Sequence, residues 1–511
     1  MFTHQKTQWL ALFLLGALAV LGFAPFYFYP ATILSLMGLS YFWFKASAHL
    51  KPSRQAAKIG FVYGLGLHIA GTYWIYISLH DFGNMPAIMA ALATFLLCAF
   101  MALFVATVGY ISLRFFNKNM LYLAIAIAAL WALSDWVRSW IFTGFPWLTM
   151  GYSQVPDSPL AGYAPVIGIY GVSLITVLIA GFITILILTK KRLVSPQFKQ
   201  QRLIVIISAV SLILGGALLK QVSWSKPVGA PISVTLLQGN IAQNLKWAPE
   251  VTQQTLQRYL TMAEQSSAKL IVMPETALPL LSSDLPAELT QRLKQHAIKN
   301  QGDILLGVVE LENGEYFNST LSIGSAETQT YRKSHLVPFG EFIPFKAVFG
   351  WIYRDWLNMP LSDLSRGSIH QQPMQIAGVN VAVNICYEDV FGEEIIRQLP
   401  AAGLLVNVSN DAWYGDSLAA YQHLQFSQAR ALETARMMLR ATNTGATAII
   451  DTKGNVLQHA PHFTQTQLNG FAQTHLGTTP YVRFGNWLFL ILCAGLLGTL
   501  FIRRKSLATQ P

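Results

Sequence analysis

The stretch VNVAVNICYED, residues 379–389, predicts a buried β-strand that stops at Cys386. Its mostly apolar, β-branched residues are typical of a strand that is covered on both faces of its sheet. LLVNVSND at 404–411 repeats the pattern, and a long helix is predicted after it, at about 420–440. Two such strands in succession indicate a sheet with polar residues where the strands end.

Upstream of this stretch, short apolar runs alternate with amphipathic ones. The predicted elements are strands at 232–240, 269–276 and 303–309, helices near 250–266 and 286–299, and a hairpin formed by 316–323 and 326–331. Buried strands with interleaved helices favour a layered α/β sandwich.

The sequence around this α/β region is too apolar for a soluble protein. Of the 511 residues, 53% are hydrophobic and 12% are charged, whereas about a quarter are charged in ordinary soluble domains. A spanning helix needs about 20 mostly apolar residues, and eight such stretches occur, at 9–24, 26–44, 59–79, 87–113, 119–137, 162–189, 203–220 and 484–502. We therefore expect a polytopic α-helical membrane domain with about seven helices over residues 1–220, a soluble domain over 226–475, and a last helix with a tail over 480–511.

Basic residues lie in short clusters between the predicted helices. The clusters follow every second helix, at Lys45–Lys58, Arg114–Lys118, Lys190–Arg202 and Arg503–Lys505. By the positive-inside rule both termini lie in the cytoplasm and the soluble domain faces outward, into the periplasm if the membrane is the inner membrane of a bacterium. The net charge of +11 could suggest nucleic-acid binding, but the basic residues are clustered between helices and do not lie along one soluble face, which argues against that function. A cleaved signal peptide is the alternative for the first apolar run, but no small-residue cleavage site precedes the next one.

Three residues at predicted strand ends suggest acyl-transfer chemistry: Glu275, Lys333 and Cys386. Cys386 is the one cysteine of the soluble domain, so it has no disulfide partner there. A thiol is only slightly ionised near neutral pH and needs a base, which Glu275 can supply. The tetrahedral oxyanion needs donors, and the Lys333 ammonium with a backbone N–H is suitable. His335 is an alternative base, and a buried structural role is the alternative for Cys386.

The motifs around these residues resemble a known family. MPETA, YRKSHLVPFGEFIPF and NICYEDVFG, in this order and spacing, are similar to the Glu-Lys-Cys signatures of the nitrilase superfamily, and most closely to the apolipoprotein N-acyltransferase family. The resemblance extends to WIYISLHDFGNMP at 74–86, TGFPWLTMGYSQ at 143–154 and QGNIAQNLKW at 238–247, and so to nearly the whole chain. It implies that the soluble domain is a nitrilase-like αββα sandwich.

The resemblance also implies roles for individual residues. Glu275 would be the general base, Lys333 the oxyanion stabiliser and Cys386 the acylated nucleophile. Five further residues would support the reaction or frame the substrate entrance: Glu341, Tyr387, Glu388, Trp247 and Trp413. In the membrane half, Asp135 stands where many relatives have Glu, which keeps a carboxylate.

The implied reaction has two steps and needs no cofactor. A phospholipid donates an acyl chain to Cys386, and the thioester then acylates the α-amine of an apolipoprotein's diacylglyceryl-cysteine. The protein is expected to act as a monomer in the bilayer, and no metal site is predicted because the histidines are scattered. Two other functions stay open: a membrane-tethered amidase of the nitrilase type, and a transporter or receptor with a catalytically inactive domain.

One aromatic segment follows Glu341. FIPFKAVFGWIYRDWLNMPL mixes aromatic residues with Lys346 and Arg354, which is typical of a membrane interface. The alternative is that the segment packs into the core of its own domain.

Overall fold

The computed structural model describes residues 2–190, 196–344 and 363–508. Its chain divides into two compact units. The first comprises Met1–Tyr73, Ala91–Val222 and Arg483–Pro511, and the second comprises Trp74–Ala90 and Ser223–Val482. Most of the predicted aromatic segment, including Phe349 and Trp351, lies outside the described residues.

Long helices occur at every position where the sequence predicts a span. Their bounds are Phe2–Leu18, Tyr29–Ala46, Pro52–Thr72, Ala87–Phe115, Met120–Arg138, Ala164–Leu188, Pro196–Leu219 and Trp487–Ala508. Within the described ranges, five helical stretches are long and apolar enough to cross a membrane: Ala87–Phe115, Met120–Arg138, Pro159–Leu188, Lys199–Leu219 and Trp487–Arg504. The helical membrane domain is therefore confirmed, while the number of about eight spans stays a prediction.

Small residues let helices of the first unit approach closely. A Cβ on Gly60 would lie 2.6 Å from the carbonyl oxygen of Val105, and one on Gly64 would lie 2.8 Å from Ala102 Cα. Such small-residue contacts are common where apolar helices pack within a bilayer.

The charged residues at the end of helix Met120–Arg138 pair with each other. Arg138 Nη2 lies 2.7 Å from Asp135 Oδ1, and Arg138 Nη1 donates to the carbonyl oxygen of Trp147 at 3.0 Å. Both side chains are buried. Because an unpaired charge inside an apolar environment is costly, this pair explains why a carboxylate at position 135 is compatible with the span.

The second unit contains two six-stranded sheets in the described part of the chain. The first sheet is formed by β2 (Ile232–Gln238), β3 (Leu270–Val272), β4 (Asp303–Glu312), β5 (Glu315–Gly324), β6 (Thr330–Arg332) and β13 (Thr466–Ala472). The second is formed by β7 (Met374–Ile376), β8 (Val379–Ile385), β9 (Leu404–Ser409), β10 (Met438–Thr442), β11 (Ala448–Ile450) and β12 (Val456–His459). A separate antiparallel pair joins β1 (Ser225–Pro227) to β14 (His475–Gly477).

The two sheets have the same topology and lie face to face. Their orders are β13-β2-β3-β4-β5-β6 and β12-β11-β10-β9-β8-β7, with parallel strands at the centre and antiparallel strands at the edges. Strand β10 packs against β2, and β5 packs against β8. Helices cover the outer faces: Pro249–Glu264 and Ala287–Lys299 on the first sheet, and Leu418–Thr434 on the second. This confirms the αββα sandwich.

Two local features differ from the sequence-based expectation. The helix predicted to reach residue 440 ends at Thr434, where Ala435 takes a left-handed conformation with φ of +52°, and β10 follows. Residues 438–442, MLRAT, include good helix formers, but parallel pairing with β9 overrides that preference. The second feature concerns β5, which pairs with the short β6 as the predicted hairpin requires but also pairs along its whole length with β4. The β4–β5 turn is Asn313-Gly314, with both φ values positive, a typical two-residue hairpin signal.

Candidate active site

The three predicted catalytic side chains come together where strands end. Glu275 follows β3, Lys333 follows β6 and Cys386 follows β8. Lys333 Nζ lies 3.4 Å from Glu275 Oε1, and the charges of both groups act on the Cys386 thiol. Their exposed fractions are 7% for Glu275, 1% for Lys333 and 7% for Cys386. The three groups therefore form one buried polar cluster.

The Glu275 carboxylate is held in its ionised form. Its Oε1 accepts a hydrogen bond from Asn318 Nδ2 at 2.7 Å, and its Oε2 accepts one from the backbone N–H of Asn410 at 2.9 Å. Burial alone would raise the pKa of Glu275, but the charges of Lys333 and Lys246, with the Asn318 hydrogen bond, bring it below its ordinary value. Glu275 is thus an oriented carboxylate that can accept a proton.

Cys386 stands in a sharp turn directly after β8. Its φ is +53°, in the left-handed region that residues other than glycine rarely adopt. Burial raises the pKa of the Cys386 thiol above its ordinary value; the Glu275 charge raises it further, and the Lys333 charge offsets only part of this rise. The resting pair is therefore a neutral thiol beside a carboxylate.

Lys333 lies between two carboxylates. Its Nζ is 2.9 Å from the Glu341 carboxylate as well as 3.4 Å from Glu275. Burial would lower the pKa of Lys333, but Glu341 and Glu275 raise it above its ordinary value, so the group stays a cation. Asn318 Nδ2 also donates to Glu341 Oε1, at 2.8 Å, and thereby bridges both carboxylates.

Glu388 connects the cysteine turn to the lysine segment. Its Oε2 accepts from the backbone N–H of Ile385 at 2.7 Å and from Tyr331 Oη at 3.0 Å. Its Oε1 accepts from the backbone N–H of Ser334 at 2.6 Å. Burial raises the pKa of Glu388, and these backbone donors oppose the rise. The residue fixes the spacing between Cys386 and Lys333.

The predicted aromatic residues have different surroundings. Tyr387 is buried and contacts the ring of Phe391 edge-on, at 5.0 Å between centroids. Trp247 and Trp413 are half-buried. The Trp413 ring lies edge-on to Phe82 at 6.4 Å, and its carbonyl oxygen accepts a hydrogen bond from Ser78 Oγ at 2.7 Å. The segment Trp74–Ala90 therefore packs beside the turn that carries Trp413.

The alternative base, His335, is engaged elsewhere. Its ring stacks on Phe391 with 3.8 Å between centroids, and its Nδ1 lies 3.0 Å from Glu394 Oε1. The charge of Glu275, in contrast, acts on the Cys386 thiol. The geometry favours Glu275 as the base.

Sequence reasoning missed three residues that shape the site: Asn318, Asn410 and Lys246. Lys246 Nζ is buried and donates to the carbonyl oxygen of Glu275 at 3.1 Å and to Thr276 Oγ1 at 2.5 Å. Burial lowers the pKa of Lys246 to about 8, although Glu275 and Cys386 act in the opposite direction. Asn318 lies in β5 beside other polar residues, Ser319, Thr320 and Ser322, so the strand pattern does not single it out. A lysine beside Trp247 gives no signal either.

Two family models match the chain. Residues 233–475 match the carbon-nitrogen hydrolase model, which places the sandwich in that class of protein. Residues 15–182 match the model of the apolipoprotein N-acyltransferase N-terminal domain. Among solved structures, a CN-hydrolase superfamily protein from Xanthomonas campestris is 16% identical in sequence, and the match covers 53% of this chain and 97% of that protein. Its TM-score of 0.37 is too low to contribute to the assignment.

Full-length relatives give a more specific assignment. An apolipoprotein N-acyltransferase from Nitrosomonas europaea is 50% identical over 98% of this chain and 99% of its own length. Another from Chromobacterium violaceum is 41% identical over 96% of this chain and 92% of its own. The chain belongs to the apolipoprotein N-acyltransferase family, which confirms the resemblance of its motifs and makes it an acyltransferase.

Proposed function

We propose that this protein transfers an acyl chain from a phospholipid to the α-amine of the diacylglyceryl-cysteine of apolipoproteins, through a thioester on Cys386. The observation that carries the proposal is the shared burial of Glu275, Lys333 and Cys386, with Lys333 Nζ 3.4 Å from Glu275 Oε1 and both charges acting on the thiol. Family membership supports acyl transfer over an amidase, and the assembled charged groups argue against an inactive binding domain.

In the first step, Glu275 takes the thiol proton while the Cys386 sulfur attacks the ester carbonyl of the donor. Because the pKa of Glu275 is lowered and that of Cys386 is raised, this proton moves only as the sulfur bonds to carbon. The Lys333 ammonium stabilises the oxyanion. The ester C–O bond then breaks, and Glu275 returns the proton to the oxygen of the leaving lysophospholipid.

In the second step, the free amine of the acceptor attacks the thioester. The amine loses a proton to Glu275 as the carbon–nitrogen bond forms, and the C–S bond breaks. The sulfur regains the proton, which restores the starting pair. Glu341 and Lys246 complete the site with one further negative and one further positive charge, so two carboxylates face two ammonium groups.

The orientation in the membrane belongs to the same proposal. The alternating basic connections support an inner-membrane protein with cytoplasmic termini and a periplasmic catalytic domain. We further propose that the domains span residues 1–220, 226–475 and 480–511 and that the protein is a monomer. Lipid-anchored substrates would then reach the site from within the bilayer.

Mass spectrometry tests the covalent step directly. The purified protein is incubated with phospholipid and digested, and the peptide that contains Cys386 should carry the mass of one acyl chain. A synthetic diacylglyceryl-cysteine peptide should remove that mass, whereas the same peptide with an acetylated amine should not. Absence of an acyl adduct on Cys386, with product formed, would overturn the thioester mechanism.

A further inference from the structure

The backbone carbonyl of Cys386 accepts hydrogen bonds from two buried side chains. Asn407 Nδ2, from β9, lies at 3.1 Å, and His423 Nε2, from the helix Leu418–Thr434, lies at 3.2 Å. These contacts hold the peptide unit that follows a residue with φ of +53°. A left-handed conformation at a residue other than glycine persists only where its surroundings fix it.

Both ring nitrogens of His423 face acceptors. Nδ1 lies 2.9 Å from Asp411 Oδ1, and Nε2 lies 2.9 Å from Asp389 Oδ1. The carbonyl oxygen of Cys386 cannot donate a proton. Burial would raise the pKa of Asp411, but the charge of Arg440, whose Nη2 lies 3.1 Å from Asp411 Oδ2, is the main factor that holds it well below its ordinary value, so this carboxylate only accepts. Both nitrogens of His423 must then carry protons.

The charges around His423 balance. Arg440, from β10, lies 3.0 Å from Asp389 Oδ2 and 3.1 Å from Asp411 Oδ2. The four side chains are at most 1% exposed. Two carboxylates thus meet one guanidinium and one imidazolium, and buried charges are tolerated when they are paired and hydrogen-bonded in this way. Burial and Arg440 lower the pKa of His423, but Asp389 and Asp411 raise it above its ordinary value.

We propose that His423, in its doubly protonated form, is a positioning residue for the nucleophile. It holds the Cys386 carbonyl, and with it the left-handed turn that directs the thiol to Glu275. The inference rests on the proposed role of Cys386 as acyl acceptor. His423 acts through the backbone, and no bond to it forms or breaks in the reaction.

The first test replaces His423→Gln, which is similar in length but neutral. We expect single-turnover acylation of Cys386 by phospholipid to slow at least 10-fold, with the KM for phospholipid within twofold of the unsubstituted protein. His459→Gln, an exposed histidine on β12, is the matched control and should acylate normally. The thermal unfolding midpoint is measured alongside. Acylation at the normal rate, or a loss that only follows the loss of folded protein, would overturn the inference.

The second test does not depend on the folding of that variant. Asp389→Asn keeps an acceptor oxygen and removes one of the two negative charges that face His423, while Asp411 and Arg440 remain. The imidazolium should then lose its proton at a lower pH, so acylation should fall with rising pH in a correspondingly lower range. An alkaline limb at the same pH in both proteins would overturn the inference. If the unsubstituted protein itself forms no acyl-Cys386, the proposed function fails instead.

Discussion

Asn318 Nδ2 donates a hydrogen bond of 2.7 Å to Glu275 Oε1, which is shorter than the 3.4 Å contact of Lys333 Nζ with the same oxygen. The amide orients the carboxylate and favours its ionised form. A hydrogen bond to a charged group contributes about 1.5–3 kcal/mol, so Asn318→Ala should slow Cys386 acylation roughly 10- to 150-fold by the same principle. Single-turnover assays with labelled phospholipid measure the effect. Asn380→Ala, at an exposed position on β8, should leave the rate unchanged, and equal rates for the two variants would contradict the role of Asn318.

The acid limb of the reaction should reflect the lowered pKa of Glu275. A base with a lowered pKa stays ionised until the pH falls through that lower value, so acylation should persist below the ordinary glutamate pKa of about 4.3. Lys246→Gln removes one of the charges that lower the pKa of Glu275, and the loss of acylation should begin at a higher pH. Lys269→Gln, an exposed lysine, is the control. Superimposable pH profiles for Lys246→Gln and the unsubstituted protein would show that the charge of Lys246 does not influence the pKa of Glu275.

Substitutions of the three proposed catalytic residues should cause different defects. Cys386→Ala should abolish both acyl-enzyme formation and lysophospholipid release, because nothing remains to accept the chain. Glu275→Gln should slow acylation severely, since the thiol loses its base. Loss of one oxyanion donor typically costs about 2.7–4 kcal/mol, so Lys333→Ala should slow both half-reactions roughly 100- to 1,000-fold. Substantial transfer to apolipoprotein by Cys386→Ala would replace the thioester with direct aminolysis.

The contact between Phe82 and Trp413 should influence substrate entry. Edge-on aromatic pairs contribute about 0.5–1.5 kcal/mol beyond their buried area, so Phe82→Ala should raise the KM for phospholipid vesicles roughly 2- to 12-fold. The value of kcat should change less, because the substitution leaves Glu275 and Cys386 in place. Phe471→Ala, on β13 and 68% exposed, is the control. A fall in kcat at constant KM would mean that the pair supports the chemistry and not the entrance.

Membrane topology can be tested with fused reporters. A reporter active only in the periplasm should be active when fused near residue 300, and inactive when fused near residue 195 or after Lys505, because basic connections stay in the cytoplasm. The opposite pattern would remove the periplasmic assignment of the catalytic domain.

The sequence by itself determined the class of the fold and the trio at its centre. Helices and strands can be predicted from the sequence because each depends on the spacing of apolar residues within a short segment. The apolar runs that end at Glu275 and Cys386 therefore predicted both the strands and the residues at their ends. Lys333 was predicted in the same way, because it follows the predicted hairpin, and the resemblance of the motif around it supported that prediction.

The tertiary structure alone decided which other residues complete the site. Asn410 donates to Glu275 from 135 positions away in the chain, and His423 reaches the Cys386 carbonyl from another element. Arg440 lies in MLRAT, whose local preference is helical, yet parallel pairing with β9 makes it a buried strand residue. Trp74–Ala90 follows a helix of the first unit but packs with the second, through Trp74 on Tyr414. The positions of these residues depend on contacts between segments that are distant in the chain. Their chemistry depends on burial and charge pairing, which arise only when the chain folds.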